Sequence, residues 1–272
     1  MTLLSWLVVF VYALKQNGDV FNGLIALIGI AGAHLATNLF DDYIDYKNLP
    51  ENSQKCKCAY IKEGKATLND VLKVVIIYLS IAFISGFALF LRCGAPVIYL
   101  AIIGGVITLA YAKLSQKGLS EIAVGIAFGP LLFEGTYFVM TGHFSLEILV
   151  MSIAIVMFTI GLMYVHTLLD FDGDISAHKK TLACRIGDKK RALNGIFIIY
   201  GLGYLSTFVL ALMLKNYHLL MTFVLIPLIF RMYKYLKTYT CGDEDKEFYF
   251  RLLQARNLMV YHSLLITLFL VF

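Results

Sequence analysis

Charged residues are scarce in this sequence: 15% are Asp, Glu, Lys or Arg, whereas 60% of the 272 residues are hydrophobic. Soluble domains are closer to half apolar and about a quarter charged. The composition therefore argues against a soluble globular protein and predicts a polytopic membrane protein. A separate soluble domain and low-complexity tracts are also lacking. Residues 1–272 are thus predicted to form a single integral-membrane domain in contact with the lipid bilayer.

Patterns typical of zinc sites are also missing. The five cysteines form no CxxC pair, and Cys56 and Cys58 are too close together for the usual zinc half-site. The net charge of +5 comes from basic residues concentrated in particular loops, as membrane topology predicts, so we expect no nucleic-acid partner. The first apolar run has neither a basic leader nor a small-residue cleavage site, so we expect it to be a helix of the bundle.

Nine apolar runs follow one another along the chain and predict an all-α fold with about nine transmembrane helices. The first run would rise only about 21 Å, short of a hydrocarbon core of about 30 Å, so we expect it to tilt or to be incomplete. The predicted helices cover residues 1–14, 21–40, 71–91, 95–114, 122–140, 146–169, 193–214, 219–236 and 258–272.

Basic residues set the predicted orientation of these helices. Twenty of the 23 Lys and Arg residues fall in the connections 2–3, 4–5, 6–7 and 8–9 or next to them, on one side of the membrane. Because the positive side is cytoplasmic, we expect the N-terminus inside and a location in a cell's inner membrane. The ends of helices 2 and 6 would then open to the cytoplasm.

The end of helix 2 carries the first of two acidic segments, with the sequence Asn-Leu-Phe-Asp-Asp-Tyr-Ile-Asp over residues 38–45. On a helix, Asn38, Asp42 and Asp45 share one face, and Asp41 lies beside it. An isolated Asp at a helix end is usually only solvated. Several polar groups with helical spacing near membrane depth instead favour a functional site.

The second acidic segment, Asp-Phe-Asp-Gly-Asp, ends helix 6. Asp170 and Asp174 are four residues apart and also share a helical face. Carboxylate oxygens without His or Cys ligands suit Mg²⁺, which commonly bridges carboxylates to substrate phosphates. His166, one turn before Asp170, is expected to hydrogen bond to that carboxylate rather than to bind the metal.

Two carboxylate clusters at the mouth of an apolar bundle suggest a lipid diphosphate as substrate. Mg²⁺ would neutralise the diphosphate leaving group. Lys179, Lys180 and Arg185 follow the second cluster and could pair with phosphate oxygens. Of these, Lys179 is favoured for the site, whereas Arg185 is more simply explained by the membrane topology.

Taken together, these segments resemble two motifs of the UbiA superfamily of intramembrane prenyltransferases. Residues 38–45 resemble the first motif, N-x-x-x-D-Y-x-D, with the spacing typical of the dihydroxynaphthoate (menaquinone) branch. Residues 170–174, followed by Lys-Lys-Thr-Leu, resemble the second motif. Tyr111 and residues 117–121, 128–131 and 135–137 are similar to a further run of that branch.

The resemblance implies a UbiA-type helical bundle around a central apolar chamber, with Asp42, Asp45, Asp170 and Asp174 as catalytic residues. It further implies which residues bind the metal: Asn38, Asp42 and Asp45 would hold one Mg²⁺ and Asp170 and Asp174 another, with Asp41 supporting the ligands. Lys117 and Lys179 would contact the diphosphate. Tyr111 and Tyr137 would line the chamber, and Glu121 would orient or deprotonate the acceptor.

The predicted function is Mg²⁺-dependent transfer of a prenyl group from a polyprenyl diphosphate to an aromatic acceptor. The favoured acceptor is 1,4-dihydroxy-2-naphthoate, in menaquinone biosynthesis. The same chemistry on 4-hydroxybenzoate, a glycerol-phosphate ether lipid or haem is the first alternative. A transporter is disfavoured because its charges would lie near the bilayer midplane. A non-enzymatic membrane scaffold is a further alternative.

Overall fold

The computed structural model describes residues 1–48, 59–176, 180–238 and 245–272. All regular secondary structure in these ranges is helical, with one π-helical turn at Ala127–Leu131 and one 3-10 helix at Tyr217–Leu225. The α-helices are α1 Thr2–Lys15, α2 Val20–Asn48, α3 Ala59–Lys62, α4 Leu68–Cys93, α5 Pro96–Gln116, α6 Ser120–Ile126, α7 Leu132–Thr141, α8 Leu146–Leu169, α9 Phe171–Ser176, α10 Leu182–Ile186, α11 Lys189–Met213, α12 Ile226–Lys237 and α13 Asp245–Val271.

Seven helical segments in the described ranges are long and apolar enough to cross a membrane. They are α2, α4, α5, α8, α11, the segment from α6 to α7, and the 3-10 helix with α12. Helix α1 is apolar but has only 14 residues. The prediction of an all-α integral membrane protein is confirmed, whereas the predicted total of nine crossings is not.

Four predicted helices differ clearly from the observed ones. One of them, 219–236, is a 3-10 helix at Tyr217–Leu225 followed by α12. Helix α2 continues through the first acidic segment, and α13 begins at Asp245, so Arg251 and Arg256 lie on a helix rather than in a loop. Apolar runs mark only where a helix crosses lipid, and the backbone hydrogen bonds continue beyond them. The predicted helix 122–140 is interrupted by the π-helical turn, which contains Pro130, a residue that cannot donate a backbone hydrogen bond.

Small residues bring α2 and α4 close together. A β-carbon on Gly29 would lie 3.0 Å from the Ser85 side chain, and one on Gly32 would lie 3.0 Å from the Tyr78 carbonyl oxygen. Ala36, one turn further along α2, is completely buried. Close backbone approach through small residues is typical of membrane helix pairs. This packing fixes one face of α2 against α4.

Helices α8 and α11 each insert a tyrosine beside a glycine of the other. Tyr164 on α8 lies against Gly195, and Tyr200 on α11 lies against Gly161. The Tyr164 hydroxyl donates to the Ala192 carbonyl at 2.6 Å. Both rings are almost completely buried. The reciprocal contacts fix the distance between the two helices. They therefore also fix where the end of α8 lies relative to α11.

Hydrogen bonds join the start of α2 to the ends of α4 and α7. The Asp19 amide donates to the Met140 carbonyl at 2.8 Å, and Asn22 Nδ2 donates to the Val139 carbonyl at 2.8 Å. Arg92 contacts Asp19 at 3.1 Å. The backbone N–H of Asn22 holds the pKa of Asp19 below its usual value. These contacts anchor α2 at the end opposite its carboxylates.

Candidate functional site

Helix α2 presents two different faces along its second half. Ala36 and Phe40 line an apolar cavity of about 110 Å³ with residues of α4 and α5. Asn38, Asp42 and Asp45 lie on the other side of the helix, as the spacing predicts, because α2 is continuous through residue 48. The packing on α4 and α5 therefore turns the polar face away from those two helices.

The carboxylates of α2 lie in different environments. Asp42 accepts a hydrogen bond from the Tyr60 hydroxyl at 3.1 Å, which ties α2 to the short helix α3. Asp45 is only 6% exposed, whereas Asn38 is exposed and Asp41 is partly exposed. A carboxylate buried at the end of an apolar bundle is costly unless it has partners, which favours a functional role.

The second acidic segment forms a single helical turn at the end of α8. The Asp174 amide donates to the Asp170 carbonyl at 2.8 Å, so the two residues keep the predicted helical spacing. His166 Nδ1 lies 3.3 Å from Asp170 Oδ2, which agrees with the predicted contact. Asp174 is only 7% exposed. Asp172, between them, is exposed and pairs with Lys189 at 3.0 Å.

Basic residues of two loops meet beside this segment. Arg185 Nη2 donates to the Lys117 carbonyl at 2.7 Å, and Arg185 Nε donates to the Lys180 carbonyl at 3.3 Å. Arg185 thus joins the loop after α5 to the loop after α9. The Lys117 side chain is exposed at this junction. Lys179, the other predicted diphosphate contact, lies outside the described residues.

The remaining predicted site residues occupy different levels of the bundle. Glu121 is 5% exposed; its Oε2 accepts from Ser120 Oγ at 2.9 Å, and its Oε1 has no hydrogen-bond partner in the described structure. Tyr111 is half-buried against the core. Tyr137 is buried near His143, at the end of the bundle where α2 begins. Tyr137 therefore lies far from the α2 carboxylates, and the roles of all three residues stay predictions.

The donor set of the two acidic segments fits Mg²⁺. No three His, Cys, Asp or Glu side chains among the described residues come together closely enough to hold a metal by themselves. Mg²⁺ is usually bound by one or two carboxylates together with waters and substrate phosphates. Carboxylates divided between α2 and the end of α8 suit that mode of binding better than an all-protein cage.

Two residues that contact the predicted ligands were not identified from the sequence. His34 precedes Asn38 by one helical turn and approaches its side chain at 3.2 Å, a contact that the spacing of four could have indicated. Tyr60 reaches Asp42 from 18 residues away. No local pattern indicates that contact, because it depends on how the chain returns after α2.

Comparison with known proteins gives relatives over most of the chain. It is 26% identical over 190 residues to 1,4-dihydroxy-2-naphthoate octaprenyltransferase of Haemophilus influenzae, covering 64% of this chain and 61% of that protein. The chain thus spans less than two thirds of that relative's length.

Solved structures share the fold. The apo structure of a UbiA homolog from Aeropyrum pernix superposes with a TM-score of 0.72 at 18% identity, covering 99% of this chain and 96% of that one. A UbiA homolog from Archaeoglobus fulgidus bound to GPP and Mg²⁺ gives 0.56 at 15% identity, covering 97% and 96%.

The profile of the UbiA prenyltransferase family matches residues 2–258. That match includes both acidic segments and every helix from α1 to α12. The resemblance seen in the motifs is therefore confirmed, and the chain belongs to the UbiA prenyltransferase family.

Proposed function

We propose that this protein is a Mg²⁺-dependent prenyltransferase that joins a polyprenyl group from its diphosphate to an aromatic acceptor, with 1,4-dihydroxy-2-naphthoate as the favoured acceptor. The observation that carries the proposal is the pair of carboxylate segments on α2 and at the end of α8, in a chain of this family. The similarity to the Haemophilus naphthoate enzyme supports the acceptor. The Archaeoglobus homolog bound to GPP and Mg²⁺ supports the metal and the diphosphate.

Asn38, Asp42 and Asp45 would hold one Mg²⁺, and Asp170 and Asp174 the other. When bound, Mg²⁺ supplies the positive charge that stabilises the departing diphosphate. The burial of two of these carboxylates assists this role. Asp45 and Asp174 are shielded from bulk water, which strengthens their attraction for cations.

The basic loops would receive the diphosphate. Lys117 projects from the junction that Arg185 holds together, and Lys179 follows the second carboxylate segment in sequence. A lysine ammonium pairs with phosphate oxygens as a point charge without a fixed geometry. These residues would bind and orient the diphosphate so that its ester bond lies beneath the apolar bundle.

Residues closer to the centre of the bundle than the carboxylates would bind the prenyl chain and the acceptor. The allylic carbon would lose diphosphate and bond to an electron-rich ring carbon of the acceptor, which then releases the group it carried, a proton or CO2, to restore the aromatic ring. Apolar walls exclude the water that would otherwise compete. Tyr111 would line this region. Glu121 is buried, and its Oε1 accepts no hydrogen bond from the residues that the structure describes; it would orient the acceptor hydroxyl or accept its proton. The mouth of the site would face the cytoplasm, with the N-terminus on the same side.

Prenyl transfer by the purified protein in detergent tests the proposal. The assay would supply Mg²⁺, a polyprenyl diphosphate and, in parallel, dihydroxynaphthoate, 4-hydroxybenzoate or a glycerol-phosphate ether lipid, with Asp42→Ala as control. Product from the naphthoate alone, lost in Asp42→Ala, is expected. Product from another acceptor alone would retain the chemistry and overturn the acceptor. Absence of Mg²⁺-dependent turnover with every acceptor would overturn the enzymatic function and favour a scaffold.

A further inference from the structure

We propose that His34 is a positioning residue that orients the side-chain amide of Asn38 so that its oxygen faces the metal. The inference rests on the proposed function, because Asn38 matters as a ligand only if the site binds Mg²⁺. It is carried by a chain of contacts from α1 through His34 to Asn38, none of which the motifs of the sequence include.

The two side chains meet on the polar face of α2. His34 Nε2 lies 3.2 Å from Asn38 Nδ2. An amide nitrogen only donates hydrogen bonds, so the imidazole nitrogen in this contact must be the acceptor. His34 is therefore the tautomer that carries its proton on Nδ1. This assignment determines what the other ring nitrogen can do.

The other nitrogen contacts the first turn of α1. His34 Nδ1 lies 2.7 Å from Thr2 Oγ1, so Nδ1–H donates to the threonine hydroxyl. Thr2 is only 7% exposed, which keeps this hydrogen bond away from competing solvent. The threonine thus fixes both the tautomer and the rotation of the imidazole ring.

A third element holds the ring from its side. Phe128, in the π-helical turn, meets the His34 ring edge-on, with ring centroids 4.9 Å apart and planes at 83°. Edge-on aromatic contacts of this kind are favourable beyond the area they bury. The π-helical turn therefore places Phe128 against the His34 ring. Contacts from α1 and from this turn leave the imidazole little freedom.

The consequence for Asn38 follows from the chemistry of an amide. With Nδ2 engaged by His34, the carbonyl oxygen Oδ1 is the atom left for a ligand, and in the described part of the chain it accepts no hydrogen bond. Only this oxygen can bind Mg²⁺, because the amide nitrogen has no available lone pair. Asn38 is exposed on the face shared with Asp42 and Asp45, where a metal would lie.

Mn²⁺ binding followed by electron paramagnetic resonance, with and without inorganic diphosphate, tests this role without relying on turnover. His34→Ala is expected to weaken Mn²⁺ binding about tenfold, as is typical when the partner of a metal ligand is removed. His34→Gln, which offers an acceptor to Asn38 and a donor to Thr2, should recover most of the loss. His218→Ala, an exposed histidine on the 3-10 helix, is the matched control and should bind as wild type.

A double-mutant cycle distinguishes positioning from a general structural effect. If His34 acts through Asn38, adding His34→Ala to Asn38→Ala should cause no further loss of Mn²⁺ affinity. Equal affinity of wild type and His34→Ala, or additive losses in the double variant, would overturn the inference while leaving the proposed function intact. Should the wild type bind no Mn²⁺ even with diphosphate, the proposed metal site itself would fall. Melting temperatures identify variants that do not fold. If His34→Ala is one of them, the Mn²⁺ affinity of His34→Gln, compared with that of wild type, is the decisive measurement.

Discussion

Gly118 and Lys180 meet backbone to backbone, so closely that a β-carbon at position 118 would overlap the Lys180 carbonyl group. Gly118 also has a φ of +67°, a conformation that L side chains rarely adopt. The contact joins the loop that presents Lys117 to the loop that follows the second carboxylate segment. The two basic loops of the candidate site are therefore held together by their main chains.

Gly118→Ala is expected to separate these loops. The left-handed conformation alone costs about 1–2 kcal/mol for a residue with a β-carbon, and the overlap with Lys180 adds to it. We expect a lower melting temperature in detergent and a large loss of the proposed prenyl transfer. Gly64→Ala is the control, since Gly64 has a φ of +70° and a β-carbon there would lie within 4 Å of no described residue. If both variants lose the same activity, the contact with Lys180 has no functional role.

Arg185→Gln should weaken binding of the prenyl diphosphate. The guanidinium donates to the carbonyls of both Lys117 and Lys180, and a glutamine cannot bridge them in the same way. A glutamine can keep at most one of the two contacts. Each such exposed hydrogen bond contributes about 1 kcal/mol, so losing one should raise KM for the diphosphate roughly fivefold. Arg191→Gln is the matched control because Arg191 is exposed on the first turn of α11. Equal KM values for the two variants would contradict this role of Arg185.

Asp174→Asn and Asp172→Asn should differ strongly, although the two residues are neighbours in the same segment. Asp174 is buried, whereas Asp172 is exposed and pairs with Lys189. Losing a metal ligand costs several kcal/mol of transition-state stabilisation, so Asp174→Asn should lower kcat/KM at least about 100-fold. Asp172→Asn should change it less than about threefold. Rates measured over a range of Mg²⁺ concentrations check both values, and a larger effect at Asp172 would overturn the ligand assignment.

Gly195→Ala should destabilise the bundle, whereas Gly201→Ala on the same helix should not. A β-carbon at position 195 would lie 2.5 Å from the Tyr164 hydroxyl oxygen, but one at position 201 would lie within 4 Å of none of the residues that the structure describes. Overpacking costs about 1–3 kcal/mol, while alanine in place of an exposed helical glycine gains up to about 1 kcal/mol. Thermal unfolding in detergent should therefore shift in opposite directions. A shift in the same direction would show that α8 and α11 can separate at little cost.

Much of this fold could be predicted from local patterns. Apolar runs identified the membrane helices, because a segment that crosses lipid must satisfy its backbone internally and present apolar side chains. The spacing of Asn38, Asp42 and Asp45 placed them on one face, and α2 is continuous through all three. The π-helical turn was not predicted. Pro130 has no amide hydrogen to donate, so an irregularity in the helix is expected there, but this does not determine which kind of turn forms.

The sequence by itself determined the helical class, the two carboxylate faces and the family, since each depends on residues close together in the chain. Only the tertiary structure decided which groups support those faces. Tyr60 reaches Asp42 across 18 residues, and Arg185 reaches the Lys117 carbonyl across 68. Thr2 reaches His34 across 32. Such contacts depend on how helices pack and on where loops return, and no spacing within a single helix specifies either.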